Sequence, residues 1–436
     1  MKEARIAFRN LNRQKKRSFL LGGAIAFGLL IVTLINGFAG SFVENVGENF
    51  SHILAGHIFI DGVEKSRSDR QFALIRDDTV LLETLESLDL PVQFITKRSN
   101  FRGTLIFEGE SLRQTVIGVD WQAEAYAKER IVLKQGTFDA MEKRNALILS
   151  EDFAQRLNVR IGDRILVQMQ TYSGQQNVGE FDLVAISIDP GLLGRVSCYA
   201  NLEYVSELLQ LGPGEYMTLG LFLEDMKYID ETADTYYTAL SERVSLFDRG
   251  EQGEGENPIR AILMQEEEQE WEGIRYRFYT LNDILSEVKE VVRILNIASI
   301  IILLVLFLII MVGVTNTFRM VMYERIREIG TMRALGMQRD NIRLLFLLEA
   351  LFLSLGGALA GLLGAGVIMF ALSRIFWGMD SAIFILLKNG YMTFKVALWQ
   401  IGLNVAIIAV LTIVAAYFPA RSAAMLRPAD ALRTTK

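Results

Sequence analysis

A single cysteine, Cys198, in 436 residues rules out any disulfide within the chain, so no disulfide framework holds an exported part together. Its one thiol reads as a small packing residue, because no histidine-bearing site accompanies it. The only two histidines, His52 and His57, are five positions apart. That is too few ligands for zinc, and not the i,i+4 spacing with which two histidines share a helix face. Six prolines and 35 glycines exclude proline-rich disorder and a collagen-like fibre. No GxxxxGK[ST] phosphate loop, other glycine-rich nucleotide loop or Ser/His/Asp group stands out. Charge is also scarce. Only 22% of residues are charged and 51% are apolar, at a mean hydropathy of +0.27, a balance that fits a chain partly in lipid.

Four stretches carry no charged side chain at all: Ser18 to Val43, Ile294 to Phe318, Ala350 to Ser373 and Val396 to Ala420. They run to 26, 25, 24 and 25 residues, and about 20 apolar residues suffice to cross the hydrocarbon of a bilayer. The first is too long for a cleaved signal peptide and reads as a retained anchor. None holds an ionisable residue, which weighs against an ion-driven pump or an ion channel. Glycines cluster instead in the third span, where Gly357 and Gly361 form a GxxxG that permits close helix packing, within one chain or between two.

The charge that is present is unevenly placed. Residues 1–17, 319–349 and 421–436 hold 17 Lys and Arg against 6 Asp and Glu, whereas 44–293 holds 25 against 44. By the preference of basic loops for the inner side, both termini and the 319–349 loop face the cytoplasm. The acidic 44–293 domain and the short 374–395 segment then lie outside. The basic N-terminus beside a span is an orientation signal, not a nucleic-acid site.

Outside the membrane the pattern is mixed α and β. Phe42, Val46, Asn49 or Phe50, and Ile53 continue the first helix beyond the bilayer. GHIFID reads as a strand, Asp77–Leu88 as a helix, and 91–120 as several strands with turns at Arg102–Gly103 and Glu108–Gly109. Residues 145–169 read strand, helix, turn at Gly162–Asp163, strand. Further strands are expected at 181–189 and 218–224, and helices at 202–211 and 228–241. EQGEGE (251–256) reads as a polar loop, and the five glutamates of 266–272 as a solvated helix face. Thr280 with Asp283 fits a capping box opening a helix over 281–318. At 1.5 Å per residue that helix runs roughly 57 Å, which leaves several turns outside the membrane as a stalk beside the first helix.

Between the second and third spans, Phe318, Met322, Ile326, Ile329, Met332 and Leu335 make one apolar stripe, with Gly336 as the stop. Such a helix fits either the lipid interface or a protein partner. Its ERIREIGTMRALGM (324–337) closely resembles the signature of the FtsX/MacB-type ABC transporter permeases. YFPARSAAMLRPADALR (417–433) resembles their closing motif, although Pro419, Arg421 and Pro428 also suit the plain role of ending and anchoring the last helix. AFRNLNRQKKRSFLLGGAIAFG (7–28), NGF (36–38) and GHIFI (56–60) are similar to the lipoprotein-releasing (Lol-type) branch.

The resemblance implies four transmembrane helices with a large extracytoplasmic α+β domain between the first and second. That domain would have porter parts flanking a sabre-like insertion near 116–212. The protein would then be a multi-pass permease of the cell inner membrane working as a dimer, with an identical or homologous second copy, on a cytoplasmic ABC ATPase dimer. ATP and Mg belong to that partner, this chain holding no cofactor, no metal and no catalytic residue. By the same resemblance, Glu324, Arg325, Glu328, Ile329, Arg333 and Gly336 form the coupling helix seated on the ATPase. ATP hydrolysis would drive the outer domain by mechanotransmission, to extract lipoproteins or another amphiphile from the outer leaflet for an extracytoplasmic carrier. Tyr172–Glu180 is the candidate carrier-holding hairpin tip, an ordinary surface turn being the plainer reading. Regulation of a cell-wall hydrolase, as in FtsX, or MacB-like export of peptides or drugs are the family's other uses. A membrane-anchored sensor or enzyme without an ATPase is the reading from another class.

Overall fold

The computed structural model describes residues 6, 7, 9, 15–65, 71–188, 198–249, 258–271, 273–378, 383, 386–388 and 390–425. The loop expected at 251–256, Pro428 and most of the basic N-terminus lie outside these, as does the side chain of His52. The chain forms two compact units, one of Met1–Phe42, Glu290–Phe376 and Met392–Lys436, the other of Val43–Lys289 and Trp377–Tyr391.

The first unit is helical. It is built on α1 (Lys15–Leu54), α2 (Ser286–Glu324), α3 (Ile326–Ala334), α4 (Arg339–Ser373) and α5 (Leu398–Ala424). The division between units falls within α1 and α2, and both helices run unbroken through it. Among the described residues, three helical segments are long and apolar enough to cross a membrane: Ser18–Ser51, Arg339–Ser373 and Leu398–Ser422. α2 contains the charge-free run 294–318 and exposes Ile297, Ile301, Val305, Leu308 and Val312 at helical spacing. The helix expected over 281–318 proves to be a capped turn, Leu281–Ile284, followed by α2, with Leu285 between them at φ −83° and ψ 3°. Both hydrogen bonds of the capping box form. The interruption is slight, because Leu285 N still donates to Leu281 O and Lys289 N to Leu285 O.

Small residues and hydroxyls set the packing in this unit. A Cβ at Gly357 would come within 2.8 Å of the Gly22 carbonyl oxygen, and one at Gly361 within 2.5 Å of that of Ala26. The GxxxG therefore meets α1 of the same chain. Ser299 Oγ donates to Asn36 Oδ1 at 2.9 Å, linking α2 to α1. The extended residues before α5 lie along α1: Ser41 Oγ donates to Thr393 O at 2.6 Å and Lys395 N to Gly37 O at 2.9 Å. Pro419 does not end the last helix, which continues to Ala424. A proline there removes the donor to the carbonyl four residues back, and Thr315 Oγ1 supplies one, donating to Ala415 O at 3.2 Å.

The second unit is an α+β domain on a mixed sheet of strands β1 (Ile58–Lys65), β2 (Gln71–Ala73), β3 (Val92–Phe107), β4 (Glu110–Val119), β5 (Leu133–Gly136), β6 (Ala146–Ser150), β7 (Arg164–Gln170), β8 (Gln176–Ser187), β9 (Cys198–Asn201), β10 (Thr218–Leu223) and β11 (Ile274–Thr280). The order is β11-β1-β10-β3-β4-β9-β6-β8-β5, with β2 beside β1 and β7 joining β3 to β8. β3 is the shared strand. Its first part, Val92–Arg98, pairs with β10 and the rest, from Ser99, with β4. The chain thus passes into the second half of the sheet at Ser99.

No turn forms at Arg102–Gly103, where β3 is continuous. Gly103 serves a close approach instead, since a Cβ there would meet Val167 Cγ1 and the Gln168 carbonyl at about 3 Å. The turn at Glu108–Gly109 does form, with φ of 47° and 92°, the positive pair a tight hairpin requires. The turn after β7 is tied down: Thr171 is buried and Tyr172 N donates to Leu209 O. Cys198 is fully buried in the core of the second half, with Phe101, Leu147, Phe181 and Val205.

The acidic run is not simply a solvated face. Glu266, on helix Pro258–Glu268, is 3% exposed and clasps the Arg277 guanidinium through both carboxylate oxygens. Asp61 lies 3.9 Å from the same guanidinium. His57 is buried with Nδ1 accepting from Leu223 N, and burial lowers its pKa to about 4. The Trp377–Tyr391 segment belongs to this unit. Asn45 and Asn49 donate to the carbonyls of Leu386 and Leu387, and Lys388 pairs with Glu48 at 2.9 Å.

Candidate functional site

The loop between α2 and α4 is built around a break at Arg325. α2 runs to Glu324, Arg325 takes φ −103° and ψ 13°, and α3 begins at Ile326. The stripe from Phe318 to Leu335 therefore belongs to two helices. Met322 and Ile329, 8% and 1% exposed, pack with Ile342 and Phe346 of α4 and with Ala415, Ala416, Ala420 and Ala424 of α5, and Met332 joins them. The apolar face meets the chain's own helices, so it is not available to lie on lipid.

Two arginines fasten the loop. Arg325 Nε donates to Glu328 at 2.9 Å and its Nη1 to Glu349 of α4 at 3.1 Å, while its guanidinium lies over the Phe346 ring. Glu349 is 5% exposed at its side chain, and a buried carboxylate of this kind is stable only when paired. Arg333 donates to the carbonyl of Ala424, the last residue of α5. A cation there satisfies an orphan carbonyl and opposes the negative end of the helix. Gly336 closes α3 at φ 96°. Met337 N donates to Met332 O and Gly336 N to Arg333 O, the two bonds of a Schellman cap that a residue with a Cβ strains.

What points outward is a different set. Glu324, Arg327 and Glu328 are exposed, and so are Tyr323 and Leu335, at 75% and 89%. Of the six residues read as one coupling helix, Ile329 is core, Arg325 and Arg333 hold α4 and α5, Gly336 is the cap, and Glu324 and Glu328 face outward. Sequence reasoning missed Tyr323 and placed Leu335 in the buried stripe. The signal for Leu335 was its position immediately before the capping glycine, where the chain leaves the helix.

Two family models match parts of the chain. Residues 300–428 match the FtsX-like permease C-terminal family, and residues 18–201 the MacB-like periplasmic core domain. An uncharacterized ABC transporter permease of Methanocaldococcus jannaschii is 29% identical over 155 residues, 35% of this chain and 37% of its own. The macrolide export ATP-binding/permease protein MacB of Chlorobium luteolum is 35% identical over 121 residues, 28% of this chain and 16% of its own. The matches thus span well under half the length of these relatives. The periplasmic region of MacB from Actinobacillus actinomycetemcomitans covers 53% of this chain and 92% of its own at 13% identity, with a TM-score of 0.30. The chain thus resembles the FtsX-like permeases over residues 300–428 and the MacB-like periplasmic core domain over residues 18–201, and it carries apolar helices and an α+β unit.

Proposed function

We propose that this permease is a lever. It takes ATP-driven closure of a separate cytoplasmic ABC ATPase dimer and turns it into movement of the acidic outer domain, working as a pair with an identical or homologous permease. Four spans cross the membrane, the charge-free run of α2 being the fourth. Both termini and the α2–α4 loop face the cytoplasm, in keeping with the basic residues there. The observation that carries the reading is the division of labour around α3. Its inner face is locked to α4 and α5, while Arg327, Glu328 and Leu335 face outward from it and Tyr323 and Glu324 from the adjoining end of α2. An exposed leucine on a rigid, charged mount suits a protein partner better than water. The unbroken course of α1 and α2 beyond the length of a bilayer supports transmission to the outer domain.

The test is Leu335→Glu in the full chain, purified in mild detergent with its ATPase. Losing a leucine's burial at an interface, up to about 3 kcal/mol, should weaken the complex by about a hundredfold and abolish stimulated ATP hydrolysis, with the permease melting unchanged. An ATPase that copurifies and turns over as well with the variant removes the docking assignment.

The cargo we infer is a lipoprotein or another amphiphile drawn from the outer leaflet and handed to an extracytoplasmic carrier. The Lol-like N-terminal motifs and the charge-free spans support it. The relatives named as macrolide exporters favour a second reading, export of a small amphiphile. Photo-crosslinking from the outer domain in cells separates the two: acylated protein in the adducts supports lipoprotein release, and small molecules alone support export.

A further inference from the structure

The outer unit contains a cavity of about 790 Å³ at the junction of β2, β3, β4 and the β7–β8 hairpin. Strand register explains how its polar wall assembles. Thr104 on β3 stands between Arg113 on β4 and Gln168 on β7. Arg102, two residues before Thr104, lies opposite Thr115, which sets the two arginines diagonally on one face of the sheet. On the other side, Gln168 Nε2 reaches Gln176 Oε1 at 3.5 Å. The edge-to-face pair of Phe72 and Tyr172, 5.8 Å between ring centroids, contributes aromatic wall.

The electrostatics of this cavity run against those of its surroundings. Acids outnumber bases 44 to 25 across residues 44–293, yet among the described residues no aspartate or glutamate lines the cavity. Several other surface arginines of the unit are paired, as Arg76 is with Glu64, Arg164 with Glu180 and Arg243 with Glu83, although the exposed Arg160 and Arg260 show no such partner among the described residues. Arg102 and Arg113 are exposed and have no hydrogen-bond or ion-pair partner among the described residues. Two free guanidiniums beside a row of amides offer charge-assisted, forked donors, the arrangement that recognises carboxylate and phosphate.

We propose that this cavity binds an oxyanion, phosphate or carboxylate, carried on a polar body of headgroup or sugar size. Arg102 and Arg113 take the anion, and Gln168 and Gln176 hydrogen-bond the body. The volume suits this, because it is far more than a bare phosphate fills and within the range of small-molecule sites. The assignment stands apart from the docking role of α3, since it uses none of those residues.

The test uses the full chain in a non-ionic detergent, with glycerol 3-phosphate as the soluble probe, glycerol as the neutral control, and mixed micelles containing phosphatidylglycerol as the lipid probe. Binding is followed by calorimetry in low and high salt. The doubly substituted Arg102→Gln, Arg113→Gln chain is first shown to melt with the parent, as substitutions of exposed side chains should. Saturable, salt-sensitive binding of glycerol 3-phosphate, weakened at least about tenfold in that variant, supports the site with a soluble ligand. Arginine-dependent binding of the lipid micelles alone supports it with a lipid headgroup. No saturable binding of either probe, equal binding by parent and variant, or glycerol binding as tightly as its phosphate, overturns it.

Discussion

Four glycines of α4 provide a controlled test of how the membrane helices are held. Gly357 and Gly361 point at the α1 backbone, whereas Gly356 and Gly366 have nothing within 4 Å of the place a Cβ would occupy. Alanine at Gly361 puts its methyl 2.5 Å from the Ala26 carbonyl oxygen and 3.1 Å from its Cα. Relieving that overlap moves the helices apart by roughly 0.5–1 Å, and a gap of that size forfeits a quarter to a half of each affected contact. The seam at risk includes Ile25, Leu29, Val32, Leu303, Ala358 and Ile408. Overpacking of this kind costs about 1–3 kcal/mol, and lipid offers no hydrophobic force to push the helices back together. Alanine on the open face instead gains about 0.5–1 kcal/mol, because glycine is the more flexible residue in the unfolded chain. That gain is common to all four positions, so the two pairs should differ by the overpacking alone, about 1–3 kcal/mol. In thermal melts of the detergent-solubilised permease, Gly361→Ala and Gly357→Ala should melt several degrees below Gly356→Ala and Gly366→Ala. Equal melting of all four would refute the close approach. A loss of the dimer with melting unchanged would assign the GxxxG to a subunit contact.

Two further predictions concern buried charge in the outer domain. Asp61 accepts from Thr218 and Tyr279, and the nearby Arg277 is already clasped by Glu266, so burial raises its carboxyl above the usual 3.8. The native state then holds this proton to a higher pH than the unfolded chain does. This contribution to stability is present below 3.8 and is lost as pH rises through the higher native value. Urea unfolding followed by tryptophan fluorescence should show Asp61→Asn flattening that decline, and an unchanged slope counts against the assignment. Arg98 and Glu124 form an ion pair at 6% and 0% side-chain exposure, with Tyr126 Oη also donating to the carboxylate. Arg98→Met alone strands the carboxylate and should cost about 3–5 kcal/mol, whereas adding Glu124→Gln should recover a large part of it in the same unfolding assay. Equal losses for the single and double variants contradict the pairing.

The local parts of this fold were legible because they rest on short-range physics. β7 alternates exposed and buried along its length, the period that its sequence spells. The Glu108–Gly109 turn and the Thr280–Asp283 capping box need only neighbouring residues. The misreadings share a cause. Gly103 suits a turn or a close approach equally, and the choice is made by β7, some sixty residues further on. Glu266 looks like one more solvated glutamate until the sheet brings Arg277 to it. Pro419 reads as a stop unless Thr315, a hundred residues earlier, replaces the missing donor.

The same limit separates the parts of the α2–α4 loop. Spacing alone gives Ile329 and Leu335 the same apolar face. The helix ends in the Schellman turn at Gly336, with Ile329 in the core and the C-cap Leu335 left 89% exposed. Arg325 and Arg333 look like docking charges in the sequence, but their partners, Glu349 and the Ala424 carbonyl, belong to helices further along the chain. Reversing the charge at Arg333 therefore disturbs the end of α5 before it reports on any partner. On that proposal, the side chains that can meet an ATPase without first unpacking this unit are those held outward at the end of α2 and on α3, Tyr323, Glu324, Arg327, Glu328 and Leu335. In the lever proposed above, coupling requires both sets. An outward face with no inner lock would yield under load, and an inner lock with no outward face would leave the motor nothing to push.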